Sequence, residues 1–156
     1  MPSAPPQRPD RRRLGFLLAA LAASGLAVAA YLTIRKMAGE GAVCVIGSGC
    51  DTVNASPYSV AFGIPVAAYG VAWSAVALVA ALAWWRSGDR RALVVLYGGG
   101  LVATMIEIYL VYLELFVIRA VCSWCVVYGA TVVLGWLGAV AGTLRTRARV
   151  EQGSPG

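Results

Sequence analysis

Four apolar blocks, each about as long as a bilayer is thick, constrain this chain more than any other feature. They run over residues 14–33, 64–85, 92–113 and 120–144. A helix of about 20 apolar residues spans the hydrocarbon core of a membrane. Only 13% of the 156 residues are charged, well below the share typical of soluble domains, so we expect no separate soluble domain. The sequence predicts an all-α membrane protein, a bundle of four transmembrane helices.

The polar segments divide the chain into three predicted regions. We expect residues 1–13 to be a disordered cytoplasmic N-terminus, residues 14–144 to be the membrane domain and residues 145–156 to be a cytoplasmic tail. The first block follows three arginines, as the apolar core of a signal peptide does, but it is longer than such a core. We therefore interpret it as the first membrane span.

The basic residues indicate the orientation of the bundle. They flank the apolar blocks and form no stripe, which argues against a nucleic-acid surface despite the net charge of +6. Cytoplasmic loops are enriched in lysine and arginine. Of the thirteen basic residues, one side of the predicted bundle holds ten and the other three, which places both termini in the cytoplasm and residues 34–63 outside. The ten are Arg8, Arg11, Arg12, Arg13, Arg86, Arg90, Arg91, Arg145, Arg147 and Arg149; the three are Arg35, Lys36 and Arg119.

The four cysteines form two pairs, and both pairs lie on the predicted outer side. Cys44 and Cys50 enclose two glycines in the long loop, and Cys122 and Cys125 begin the fourth block. Residues three apart lie on one face of a helix, and a helix N-terminus favours a thiolate. The outer side of a cell membrane is oxidising. A loop pair that exchanges with an external protein, beside a pair fixed on a helix, is typical of an electron relay.

Other uses of four cysteines are open at this point. Two structural disulfides would make the protein a stapled membrane scaffold. A zinc site is a second alternative, although five residues between Cys44 and Cys50 exceed the usual ligand spacing. The chain has no histidine for haem ligation and no dinucleotide-binding glycines. We therefore predict no metal, and a lipid-soluble quinone as the final electron acceptor.

The cysteine segments resemble those of one known family. The matching pieces are the Cys44-x5-Cys50 spacing, the run from Cys50 to Ser56, the run Gly-Ile-Pro-Val-Ala-Ala-Tyr-Gly at 63–70 and the Cys-Ser-Trp-Cys motif at 122–125. Together they resemble the bacterial branch of the vitamin K epoxide reductase family over about residues 12–145.

The resemblance implies a role for each cysteine. Cys125 would lie nearest the quinone, menaquinone or ubiquinone, with Cys122 as its partner. Cys50 would exchange with Cys122, and Cys44 with an external DsbA-like thioredoxin-fold protein. The implied function is a thiol–disulfide oxidoreductase of the bacterial inner membrane that supports disulfide formation. The resemblance is to members without a fused thioredoxin-like domain, so we expect the redox partner to be a separate protein.

The resemblance also implies a quinone site near the outer face, lined by Ser56, Phe62, Val66 and Tyr128 beside Cys125. Ser56 and Pro57 suit the N-cap and first position of a helix, which predicts a short interfacial helix over 57–62, between the first two spans, capping the site. The animal enzymes have an asparagine where Val66 stands and a tyrosine one position after Tyr128. These departures favour quinone reduction, with quinone-epoxide reduction as the alternative.

Glu107 is the one acid well inside an apolar block. An ionisable residue within a membrane span is a functional candidate, because an isolated charge is costly there. Three interpretations remain for Glu107. It takes a proton during quinone reduction, it reaches the membrane interface, or it pairs with Arg119.

Overall fold

The computed structural model describes residues 9–44 and 46–152, and helices account for most of them. A three-residue 3-10 turn, a minimal β-hairpin and a π-helical segment complete the described part of the chain. In chain order the elements are α1 (Pro9–Met37), α2 (Gly49–Ala55), the 3-10 turn (Pro57–Ser59), β1 (Val60–Ala61), β2 (Ile64–Pro65), α3 (Val66–Ser87), α4 (Arg90–Tyr112), the π-helical segment (Leu113–Ile118) and α5 (Ser123–Gln152).

The four predicted spans are confirmed as helices long and apolar enough to cross a membrane. These are α1, α3, α4 with its π-helical extension, and α5. Helix α1 packs against α3 and α5, and α4 packs against the same two helices, so the four close into a ring. Two boundaries differ from the prediction. Helix α1 begins at Pro9 and α5 continues to Gln152, while residues 1–8 of the predicted N-terminal region lie outside the described residues.

Small residues let the helices approach closely at the end of the bundle that holds the α3–α4 turn. Alanine dominates the buried cluster at this end, and small side chains are what close helix packing in membranes requires. At Gly99 of α4 there is no room even for a methyl group, since a Cβ there would overlap the Trp73 ring of α3. The cluster consists of Leu18, Ala19, Ala77, Ala80, Ala81, Trp84, Ala92, Leu93, Leu96 and Ala139.

A short turn reverses the chain between α3 and α4. Gly88 ends α3 in the left-handed region, at φ 71°, and its N–H donates to the carbonyl of Trp84. Asp89 is the N-cap of α4, and its carboxylate accepts the N–H of Arg91 at 2.9 Å. A left-handed glycine and an acidic N-cap satisfy backbone groups that helix ends leave free. The two helices are therefore antiparallel neighbours.

The segment between α1 and α3 holds more regular structure than the sequence predicted. A short helix is present, but it is α2, which lies before Ser56 and carries Cys50. The predicted helix over 57–62 begins at Pro57, as expected, but ends after a single 3-10 turn at Pro57–Ser59, which the β1–β2 hairpin follows. Ser56 takes the predicted N-cap position of this turn, but its side chain does not cap the turn. Its hydroxyl donates to the Val53 carbonyl at 2.7 Å and makes no capping hydrogen bond to the turn.

Candidate functional site

The four cysteines meet in one cluster at the end of the bundle opposite the α3–α4 turn. Cys50 and Cys122 are fully buried there, at 0% and 2% exposure. Cys44 and Cys125 are partly buried and pack against the same cluster. The topology explains the meeting, because α1 and α4 end at this face while α3 and α5 begin there. The two pairs, 72 residues apart between Cys50 and Cys122, are thus brought together by the fold.

Cys44 and Cys50 form a disulfide with Cα atoms 5.6 Å apart. The Cys50 N–H donates to the Cys44 sulfur at 3.1 Å. The two sulfurs differ in access, since the Cys44 side chain is partly exposed and Cys50 is fully enclosed. One end of this disulfide therefore faces the surroundings and the other faces the bundle.

Helix α2 aims Cys50 at the start of α5. Gly49, its first residue, lies directly on the backbone of Val121, where any Cβ would overlap the Val121 carbonyl oxygen. The Cys50 sulfur lies 3.5 Å from the hydroxyl oxygen of Ser123, the first residue of α5. Ser123 directly follows Cys122, so the close approach at Gly49 places the loop disulfide beside the helix pair.

The chain just before Cys44 is held to the bundle by two aromatic side chains. The indole N–H of Trp124 donates to the Val43 carbonyl at 2.8 Å, and the Val43 N–H donates to the Tyr31 hydroxyl at 3.2 Å. The rings of Tyr31 and Trp124 also contact each other, with centroids 5.4 Å apart. The position of Cys44 is thereby tied to α1 and to the helix that carries the second pair.

Basic residues at the end of α1 hold the rest of the loop. The Lys36 ammonium donates to the Asn54 carbonyl at the end of α2. Arg35 pairs with Glu40 at 2.6 Å and its Nε donates to the Gly41 carbonyl at 2.9 Å. These contacts close the loop over the end of the bundle, so two of the three basic residues on this side serve the loop itself.

Cys122 is the N-cap of α5, and its sulfur does what a capping serine or aspartate oxygen does. It accepts the N–H of Cys125 at 3.3 Å, while its carbonyl accepts the N–H of Val126 at 3.0 Å. Both cysteines are free thiols. The pKa of Cys122 is lowered below that of an ordinary thiol. The main cause is hydrogen bonding from the Cys125 thiol, and the backbone N–H groups of Cys125 and Trp124 add to it. The helix start thus favours a thiolate at Cys122.

A buried carboxyl group, that of Glu114, lies against this pair. The sequence analysis did not identify it, because residue 114 falls between the third and fourth apolar blocks. Glu114 is 5% exposed, and its carboxylate accepts the Cys122 N–H at 3.2 Å. The same carboxyl lies within hydrogen-bonding reach of the Cys125 thiol. The available signal was an acid among apolar residues eight positions before Cys122. Arg119, which precedes the pair in the sequence, is exposed and has a left-handed backbone at φ 55°.

Glu107 and Tyr128 lie one level deeper in the bundle. The Glu107 carboxylate faces Gly129 of α5, within 3.2 Å of where a Cβ would stand. The Tyr128 hydroxyl donates to the Gly70 carbonyl at 3.2 Å and so links α5 to α3. Within residues 9–44 and 46–152 the one ion pair is Arg35–Glu40, so the structure does not contain the alternative pairing of Glu107 with Arg119.

The remaining predicted site residues lie at different distances from the cysteine cluster. Val66 is the half-buried first residue of α3, next to Ala67, which packs on the cluster. Ser56 lies between α2 and the 3-10 turn. Phe62 lies at the hairpin tip with φ 52° and its side chain 100% exposed. The fold brings Val66 and Tyr128 towards the pair and leaves Phe62 outside the cluster, and their binding of a quinone stays a prediction.

An apolar groove of about 520 Å³ lies beside the exposed sulfur. This volume is in the range of small-molecule sites. Helix α1, the loop and α5 all contribute to its wall, through Ala27, Val28, Tyr31, Val43, Cys44 and Trp124. Across the described ranges no group of three or more histidine, cysteine or acidic side chains is arranged to hold a metal ion. The chemistry available at this face is therefore thiol–disulfide exchange next to an apolar groove.

One comparison with known proteins bears on this arrangement. The family model described as the vitamin K epoxide reductase family matches residues 16–140, which is most of the chain and includes all four cysteines.

Proposed function

Because the chain belongs to the vitamin K epoxide reductase family, we propose that its quinone-linked membrane redox activity reoxidises an extracytoplasmic thioredoxin-fold protein of the DsbA type. Electrons pass from that partner through Cys44 and Cys50 to Cys122 and Cys125, and then to a quinone. The observation that carries the proposal is that the cysteine side chains differ in their exposure to the surroundings. Cys44 is reachable from outside, while Cys50 and Cys122 are enclosed together.

The first step is exchange with the partner at Cys44. A partner thiolate attacks the Cys44 sulfur, the Cys44–Cys50 bond breaks, and the Cys50 thiolate leaves. The second partner thiol then releases Cys44, so the partner gains a disulfide and the loop pair holds two electrons. The apolar groove beside Cys44 supports this order, because it offers the partner's active-site segment a surface next to the exposed sulfur.

The second step carries the electrons from the loop pair to the helix pair. The Cys50 thiolate attacks Cys122 of the Cys122–Cys125 disulfide and forms a mixed disulfide, and the Cys125 thiolate leaves. Cys44 then attacks Cys50 and releases Cys122. The resulting state has the loop pair oxidised and the helix pair reduced, which is the state that the structure contains. The lowered pKa of Cys122 makes it a good leaving group in the second exchange.

The third step delivers two electrons to the quinone from the side of Cys125. Tyr128 lies three residues after Cys125 on the same face of α5, and its hydroxyl bonds to Gly70, four residues after Val66. We place the quinone ring between α3 and α5, against Cys125, Val66 and Tyr128, with Ser56 and Phe62 at the outer entrance. When the quinone leaves as quinol, Cys122 and Cys125 are a disulfide again.

The orientation in the membrane follows from the charges. The cysteine end of the bundle carries Arg35, Lys36 and Arg119, and the opposite end carries most of the other basic residues. We therefore propose that the termini lie in the cytoplasm of a bacterial cell and the cysteines on the extracytoplasmic side. Exchange with a periplasmic or secreted thiol protein requires this side.

The test is oxidation of a reduced DsbA-like protein by the purified protein with either menaquinone or ubiquinone. We expect stoichiometric formation of partner disulfide and quinol, and loss of both in the Cys125→Ala variant. Full quinone reduction by that variant would rule out the mechanism. A parallel assay with a quinone epoxide and a dithiol tests the alternative activity. The scaffold interpretation, with two static disulfides, predicts no turnover in either assay.

A further inference from the structure

Glu114 is a buried acid beside the helix pair that the relay of sulfurs does not use. It lies in the π-helical segment that ends α4, and such segments are frequent at functional sites. Its backbone carbonyl accepts the N–H groups of Arg119 and Ala120. Its carboxylate accepts the N–H of Cys122. Glu114 therefore anchors the turn that leads into the helix pair by accepting three of its backbone N–H groups.

The carboxyl group of Glu114 also lies close to a reacting atom. It lies within hydrogen-bonding reach of the Cys125 thiol, the group that faces the quinone in the proposed function. Glu114 is 5% exposed and forms no ion pair among the residues that the structure describes. The Cys122 N–H occupies one carboxylate oxygen, Oε2, which leaves the group with unused acceptor capacity.

The proton balance of quinone reduction calls for such a group. When Cys122 and Cys125 form a disulfide, two S–H bonds break and one S–S bond forms. Two electrons and two protons then reach the quinone, which becomes a quinol. Water has little access to this cluster, so a proton released at Cys125 needs an acceptor within hydrogen-bonding distance.

We propose that Glu114 carries the Cys125 proton to the quinone oxygen. The Glu114 carboxylate takes the proton as Cys125 gives up its electron pair, and the resulting carboxylic acid protonates the reduced quinone. Cys122 reacts as the thiolate that the helix start favours, so its proton has already left the pair, and the second quinol oxygen takes a matching proton from solvent. The carboxylate is then regenerated. This inference rests on the proposed function, since it assigns the proton path of the same reaction.

The test separates proton transfer from positioning by the choice of substituent. Glu114→Gln keeps an oxygen that accepts the Cys122 N–H but cannot take up a proton. We expect the single-turnover rate of quinone reduction by the reduced protein to fall on the order of 100-fold, the usual size of a general acid–base contribution. Glu40→Gln, which removes an exposed acid at the same end of the bundle, should stay within about twofold of the unsubstituted protein.

A second readout reports the geometry of the cysteines independently of quinone chemistry. In a Cys44→Ala/Cys125→Ala background, where Cys50 and Cys122 accumulate as a mixed disulfide on mild oxidation, Glu114→Gln should leave the rate of that crosslink unchanged within about twofold. Two results would overturn the inference: quinone reduction by Glu114→Gln within threefold of the unsubstituted rate, or an equal loss of crosslinking and quinone reduction. Quinone reduction by Cys125→Ala alone would instead refute the proposed function.

Discussion

The two cysteine pairs share one cluster but are built in opposite ways. The Cys44–Cys50 pair lies in an irregular segment and a seven-residue helix, with one sulfur partly exposed and the other enclosed. The Cys122–Cys125 pair begins a helix of 30 residues, whose backbone N–H groups surround the Cys122 sulfur. In the proposed relay, the loop pair selects the protein that donates electrons, and the helix pair passes those electrons to the quinone. The difference shows how one membrane domain presents an open and a closed redox centre side by side.

The largest expected effect comes from removing one cysteine of each pair in turn. Cys44→Ala should lower oxidation of a thioredoxin-fold substrate at least about 1,000-fold, as loss of a nucleophile does. It should still allow quinone reduction when a small dithiol reduces the helix pair directly. Cys125→Ala should lose both activities. Equal behaviour of the two variants with a small dithiol would show that the pairs are not specialised in this way.

A smaller effect is expected where the two pairs are joined, at Gly49. Gly49→Ala places a methyl group against the Val121 carbonyl and forces α2 away from α5. Overpacking of this kind costs about 1–3 kcal/mol, so the exchange between loop and helix pairs should slow roughly 10-fold. The measurement is the rate of Cys50–Cys122 crosslinking on mild oxidation in a Cys44→Ala/Cys125→Ala background. Gly98→Ala, on an open face of α4, is the matched control and should crosslink at the normal rate.

The helix pair and its partners show what the sequence could and could not reveal. The apolar blocks, the basic flanks and the cysteine spacing predicted the four spans and put both pairs at one end of the bundle. Those signals are local and periodic. The approach of Gly49 to Val121 and the burial of Glu114 depend on how α2 and the turn before α5 fold over the bundle. No short-range pattern encodes that packing, so Glu114 was assigned to a link and a helix was expected after Ser56.

A moderate effect is expected at the indole that ties Cys44 to α5. Trp124→Phe keeps the ring beside Tyr31 but removes the hydrogen bond to the Val43 carbonyl. Such a bond contributes about 1 kcal/mol, so thermal unfolding should shift downward by a few degrees. Crosslinking between the pairs should slow severalfold. Trp85→Phe, at the other end of the bundle, is the control and should leave crosslinking unchanged. An equal effect of Trp85→Phe would contradict the proposal that the Trp124 hydrogen bond positions Cys44.

The smallest effect concerns the pH at which the helix pair ionises. Because the Cys125 thiol is the largest of the groups that lower the pKa of Cys122, Cys125→Ala should raise that pKa. Alkylation of Cys122, followed by mass spectrometry across pH, should titrate at higher pH in the variant. A lowered pKa stabilises the folded protein above the unfolded thiol pKa, about 8.5, and this contribution is lost as pH falls through the folded value. An unchanged titration midpoint would contradict the assignment.

The most direct test of the relay traps its central step. In the double variant Cys44→Ala/Cys125→Ala, Cys50 and Cys122 are the two cysteines left, and neither has a partner to release it. Mild oxidation followed by mass spectrometry of proteolytic fragments should show a nearly complete Cys50–Cys122 disulfide. The matched variant Cys50→Ala/Cys125→Ala, which leaves Cys44 and Cys122, should show little crosslinking. Equal or greater crosslinking of Cys44 to Cys122 would contradict the order of electron transfer proposed for this protein.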